Sequence, residues 1–162
     1  MRTAKLAKNA KEEKRKARQG KGTEMREGDP KTPKRNEPPA EVDQLAYQLI
    51  GAAMEVHSTL GPGYLEAVYE EALCVELEER SIPFKRQAAF AINYKGRTVG
   101  EGRLDVLVGG KLIVELKAVD AILPIHEAQV LSYLKATGHP LALVINFNVR
   151  VLKDGIKRWI LS

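Results

Sequence analysis

Cysteine is almost missing from this sequence: Cys74 is the only one among 162 residues, so no internal disulfide can form. Set among helix formers in EEALCVELEER, it reads as a small buried thiol. No apolar run approaches the roughly 18 residues that a membrane-spanning helix needs, which excludes a transmembrane segment of that kind. The opening MRTAKLAKNAKEEKRKARQGKG is basic but lacks the apolar stretch of a secretory signal, and an intracellular, cytoplasmic protein is expected. Aromatic residues are absent from residues 1–41, large aliphatics are few there, and four prolines crowd between Pro30 and Pro39. Such a stretch has little apolar surface to offset the entropy of ordering, so residues 1–41 are expected to form a disordered tail. Acid is also scarce there, with 13 Lys or Arg against 7 Asp or Glu, whereas residues 42–162 hold 13 against 14. The net charge of +5 therefore belongs to the tail. A basic arm suits either a solubilising extension or an element that binds phosphate backbones without reading sequence.

Residues 42–162 have the length of one domain, and a content of 44% hydrophobic and 29% charged residues is that of a globular chain. Leu45, Leu49, Ala53, Val56 and Leu60 recur at spacings of three or four, which predicts an amphipathic helix starting near Asp43 as N-cap and ending at Gly61-Pro62-Gly63. His57 falls on its apolar side, as a packed or capping group. A second helix is expected from Tyr64 to Arg80, with Leu65, Val68, Tyr69, Ala72, Leu73 and Leu77 as its buried stripe and Glu66 at the stripe's edge. After Pro83 the period becomes alternating: Phe84 to Tyr94 reads as a strand, Lys95-Gly96-Arg97 as a turn, and Thr98 to Val108 and Lys111 to Ala118 as two more strands. Pro124 opens a helix through about Thr137, Leu141 to Asn148 reads as a strand buried on both faces, and Ile156 to Leu161 as a last short one. The order α, α, β, β, β, α, β, β predicts an α/β fold, a mixed sheet flanked by helices.

Charge inside two of these strands needs a reason. In Arg103 to Lys117, RLDVLVGGKLIVELK, alternation sets Ile113, Glu115 and Lys117 on one face and Leu112, Val114 and Leu116 on the other. The turn decides whether Asp105 joins them. A two-residue Gly109-Gly110 loop pairs Asp105 with Val114 and parts the acids, while a three-residue loop with Gly110 left-handed pairs Val108 with Leu112 and Asp105 with Glu115. Hydrolysis of a phosphodiester needs an activated water and a neutralised phosphate, which carboxylate-held divalent metals supply, so a nuclease site requires the second turn. An ammonium at Lys117 suits orientation of that water and stabilisation of phosphate charge. On the next helix His126, Gln129 and Tyr133 form a polar stripe from which Gln129 reaches water or phosphate. Arg103, on the face of Asp105 by alternation, suits a phosphate contact or a neutralising role. Each feature also has a plain reading: Gln129 as a solvated side chain, Glu66 as an acid favoured by a helix N-terminus, and Glu115 with Lys117 as an ion pair.

Gly63-Tyr64-Leu65-Glu66-Ala67-Val68-Tyr69, Asp105, Glu115-Leu116-Lys117 and His126-Glu127-Ala128-Gln129 occur in order, within LIGAAMEVHSTLGPGYLEAVYEEAL, VELKAV and HEAQVLSYLKATG. Together they resemble the GxxExxY branch of the PD-(D/E)xK nuclease superfamily, from about Val42 to the C-terminus. The resemblance implies a restriction-endonuclease-like core in which Glu66, Asp105, Glu115, Lys117 and Gln129 form the catalytic set. On the nuclease reading Glu66, Asp105 and Glu115 hold Mg2+ or Mn2+, Arg103, Tyr69 and Tyr133 are expected to contact substrate, and the substrate is nucleic acid, DNA or RNA. Leu104 stands where the superfamily's name has proline. A non-catalytic nucleic-acid- or protein-binding module on the same fold, and a purely structural set of ion pairs, stay open beside this reading. Monomer and homodimer are equally open.

Overall fold

Pro39 precedes the first helix among the described residues. In the computed structural model, which describes residues 37–162, it is the N-cap of helix α1 (Ala40–Leu60). The expected tail therefore lies outside the described residues up to position 36. The helix starts three residues before Asp43, which sits in the first turn and pairs instead with Arg158 at 2.7 Å. Val42, Ala46, Leu49, Ala53 and Val56 form its buried face. Gly61 ends it with φ 68°, a left-handed residue whose N–H bonds the His57 carbonyl. His57 is packed as expected, its Nε2 donating to the Val149 carbonyl at 2.7 Å.

Helix α2 (Glu66–Glu79) buries Tyr69, Leu73, Cys74 and Leu77. Leu65 and Val68, expected in that stripe, are exposed: Leu65 precedes the helix in an extended conformation, and Val68 lies one position off the Tyr69–Leu73–Leu77 row. Five strands follow, β1 (Phe84–Tyr94), β2 (Arg97–Val108), β3 (Leu112–Lys117), β4 (Leu141–Asn146) and β5 (Ile156–Ile160), with helix α3 (Pro124–Thr137) between β3 and β4. They form one sheet in the order β1-β2-β3-β4-β5. The β3–β4 pairing is parallel, since α3 crosses over between them, and the rest are antiparallel. β4 is buried along its whole length, as an apolar run between two layers should be.

The layers are α/β/α. Leu112, Val114 and Leu116 of β3 pack with α1 and α2 on one side, while Ile113 packs with Val130 and Leu134 of α3 on the other. The β2–β3 turn is the three-residue one: Val108 pairs with Leu112, and Gly109 and Gly110 are both left-handed at φ 58° and 69°. Gly109 is constrained twice, because a Cβ there would also come within 2.7 Å of the Leu45 side chain on α1. Among the described residues no helix is long and apolar enough to cross a membrane.

Candidate active site

The pleat of β2 inverts at Asp105. Val106 and Val108 pack on the α1/α2 side, yet Leu104, two residues before Val106, packs on the α3 side. β1 inverts at the facing position: Arg86 reaches Glu70 and Glu71 on α2, whereas Ala88 and Phe90 pack on the α3 side. Between them Gln87 is left-handed at φ 49°, an uncommon conformation for a residue with a side chain. Its amide donates to Glu70 of α2 at 3.0 Å, and its carbonyl accepts from Arg103 at 3.4 Å. Glu70, Gln87 and Arg103 thus hold the step at which Asp105 sits.

β2 and β3 part at the same place. Their ladder ends at Val106–Val114, and the next facing pair, Asp105 and Glu115, is joined by side chains instead. The Asp105 N–H donates to Glu115 Oε1 at 3.2 Å, and Leu116 N–H donates to Asp105 Oδ2 at 2.8 Å. Each carboxyl stands in for a missing ladder partner and keeps a second oxygen for other work. Because the strands diverge, side chains from both helical layers meet in the gap. Glu66, first residue of α2, is near enough to Asp105 for each charge to be felt, and Tyr133 of α3 feels both Glu115 and Asp105. Tyr133 also accepts a hydrogen bond from Gln129 Nε2 at 2.9 Å and packs edge-on against Phe90.

Electrostatics mark the cluster. Burial, then the Asp105 charge, pushes Glu115 up to about 8. Burial also holds Asp105 above its ordinary value, against the lowering effect of the Leu116 N–H. Desolvation and the Asp105 charge raise Glu66, and desolvation followed by the Glu115 charge raises Tyr133. Lys117 draws Glu66, Asp105 and Glu115 back down. Among the described residues, however, it forms no salt bridge with them, so a simple Glu115–Lys117 ion pair is not what occupies the strand.

Two expected substrate contacts lie elsewhere. Arg103 bonds neither Asp105 nor Glu115 among the described residues; it is exposed, donates to the Gln87 carbonyl at 3.4 Å and pairs with Glu101 at 3.3 Å. Tyr69 is wholly buried and stacked on Phe147 at 4.6 Å, with no surface for a substrate. Its hydroxyl donates to Gly61 O at 2.5 Å and accepts from Tyr64 N–H at 3.2 Å, fastening the loop that delivers Glu66. Among the described residues no three His, Cys, Asp or Glu side chains gather as a metal-holding group. A magnesium-type ion requires less, one or two carboxylates completed by waters and substrate oxygens, and the free oxygens of Asp105 and Glu115 fit that demand.

Asn146 was hidden inside an apolar run. Buried at the end of β4 opposite Lys117, it accepts from Val119 and Asn148 N–H and donates to Val119 O at 2.8 Å, pinning the chain just beyond the site. Asn146→Ala leaves these groups unpaired in the interior. It is expected to cost about 3 kcal/mol, read as a lower urea midpoint with an unchanged slope.

A mixed sheet between helical layers, opened where two strands part around an acid pair, is the restriction-endonuclease-like arrangement. Residues 43–159 match the family model of the PD-(D/E)XK nuclease superfamily, and the chain belongs to that superfamily. No curated protein matches it.

Proposed function

We propose that this protein is a metal-dependent nuclease of the GxxExxY branch that hydrolyses phosphodiester bonds of DNA or RNA. The observation that carries the reading is the Asp105–Glu115 pair, two carboxyls side by side, Glu115 buried and Asp105 half-buried, whose joint ionisation calls for a cation. Asp105 and Glu115 are the residues to hold Mg2+ or Mn2+, and Glu66 at the start of α2, raised by the Asp105 charge, is the third acid assigned to the ion. When bound, such an ion lowers the pKa of its water and neutralises phosphate charge.

The protein's own groups do the rest. Lys117 projects on the Glu115 side of β3, where its ammonium orients the attacking water and stabilises charge on the phosphate oxygens. Tyr133 accepts from Gln129 and so has its own O–H to donate to a phosphate oxygen, while the Gln129 carbonyl is left to position water. Within the motif, Tyr69 anchors the loop that precedes α2, and Glu66 opens that helix.

The test is an assay of the full chain on single- and double-stranded DNA and RNA with Mg2+, Mn2+ or EDTA. Cleavage of at least one polymer with metal and none with EDTA is expected. Binding without cleavage under every condition identifies a binding module instead.

A further inference from the structure

The strand carrying Asp105 continues past the site. β1 and β2 pair from Phe84–Val108 out to Tyr94–Arg97, whereas β3 meets β2 only at Val106, Leu107 and Val108. Beyond Asp105 the two strands run on as a ribbon, and residues 91–99 are exposed on both faces. A two-stranded ribbon in water is marginal by itself, so its length asks for a partner.

Charge indicates which kind. Beyond Asp105, Lys95, Arg97 and Arg103 lie on the ribbon against Glu101 alone, while α2 carries six glutamates. Arg86 is held by Glu71 and Arg103 by Glu101, but Lys85, Lys95 and Arg97 enter no salt bridge among the described residues. Lys95 lies over the Tyr94 ring at the tip, 5.5 Å from its centroid. A second copy of this chain is a poor occupant. The bulge at Ile92/Asn93, where Val99 has no partner, twists the free edge of β1 away from edge-to-edge pairing.

We propose that the β1–β2 ribbon is an arm that lies in the major groove of double-stranded DNA, with Lys95 and Arg97 at its tip bound to backbone phosphates. The inference rests on the nuclease reading above. The major groove, about 12 Å wide, admits a two-stranded ribbon, whereas that of an RNA duplex is too deep and narrow. From Asp105 to Arg97 the strand spans eight steps of about 3.3 Å, roughly 26 Å. At about 3.4 Å per nucleotide, the tip meets phosphates about eight nucleotides from the one at Asp105.

The experiment compares the full chain with Lys95→Asn/Arg97→Gln, in EDTA, on a 30-base-pair DNA duplex and a 30-base-pair RNA duplex. Asparagine keeps the left-handed turn position of Lys95, φ 47°, so the thermal midpoint serves as a folding control. On the long DNA duplex the variant is expected to bind about tenfold more weakly, with a salt slope shallower by about two. With Mg2+ added, KM should rise and kcat stay. Equal affinity and slope on the long DNA overturn the arm while leaving the nuclease reading intact, as does binding confined to the RNA duplex. A wild-type protein that binds and cuts no nucleic acid overturns both.

Discussion

Lys117→Ala is expected to lower phosphodiester cleavage about a thousandfold or more while moving the thermal midpoint by only a few degrees. The asymmetry follows from its surroundings. Lys117 is half-buried on β3 with no salt bridge among the described residues, so truncation leaves no paired charge behind. Its influence is directed at the acids, since it lowers Glu66, Asp105 and Glu115 together. Glu115→Gln should match it in activity for another reason. The amide oxygen can still accept the Asp105 N–H, keeping the β2–β3 junction, but the carboxylate charge that attracts a cation is gone. The two variants then differ in metal titration: Lys117→Ala retains heat and thermal stabilisation with Mn2+, and Glu115→Gln loses most of both. Cleavage within tenfold of wild type for either variant would remove that residue from the catalytic machinery.

Much of this site was legible because its chemistry constrains the turn. Two acids on neighbouring strands face each other only with a three-residue Gly109-Gly110-Lys111 loop, and the pairing of Val108 with Leu112 is that register. Helix α3 was equally legible, since Pro124 and Gly138 mark its ends. Alternation failed at one place, the pleat inversion across Gln87 and Asp105. It assumes a uniform strand, and a left-handed glutamine carries no sequence mark, so Leu104 and Val106 pack on opposite sides of the sheet where alternation puts them on one. Tyr69 presented two conflicting signals, a helical stripe with Leu73 and Leu77 and a place in a functional motif. Burial reconciles them, because the tyrosine acts on the loop before Glu66 rather than on a substrate. Asn146 gave no signal within LALVINFN, where one polar residue among aliphatics does not alter the period; only its bonds to Val119 and Asn148 reveal it.

The metal-free protein is expected to lose stability as pH rises from 5 to 9, contrary to the usual behaviour of carboxylates. Glu115 is raised to about 8 in the folded chain against an ordinary value of 4.5, so between those values the folded state holds a proton that the unfolded state has released. Its contribution is complete below the unfolded value and is lost as pH climbs through the folded one. At about 1.4 kcal/mol per unit the loss is on the order of 3–5 kcal/mol, or more than about ten degrees in midpoint for a domain of this size. Glu71, lowered by its bond to Arg86, and His139, lowered by burial, act with the opposite sign. The quantity to measure is therefore the difference between wild type and Glu115→Gln, melted in EDTA across the range. Wild-type stability minus that of the variant should fall steadily with pH, and a flat difference would mean that Glu115 is ionised in the folded protein without a cation. Mg2+ must displace the same proton to bind, so it should stabilise wild type at pH 8 and scarcely at pH 5. One carboxyl pair then accounts for both the alkaline instability of the metal-free protein and its rescue by metal.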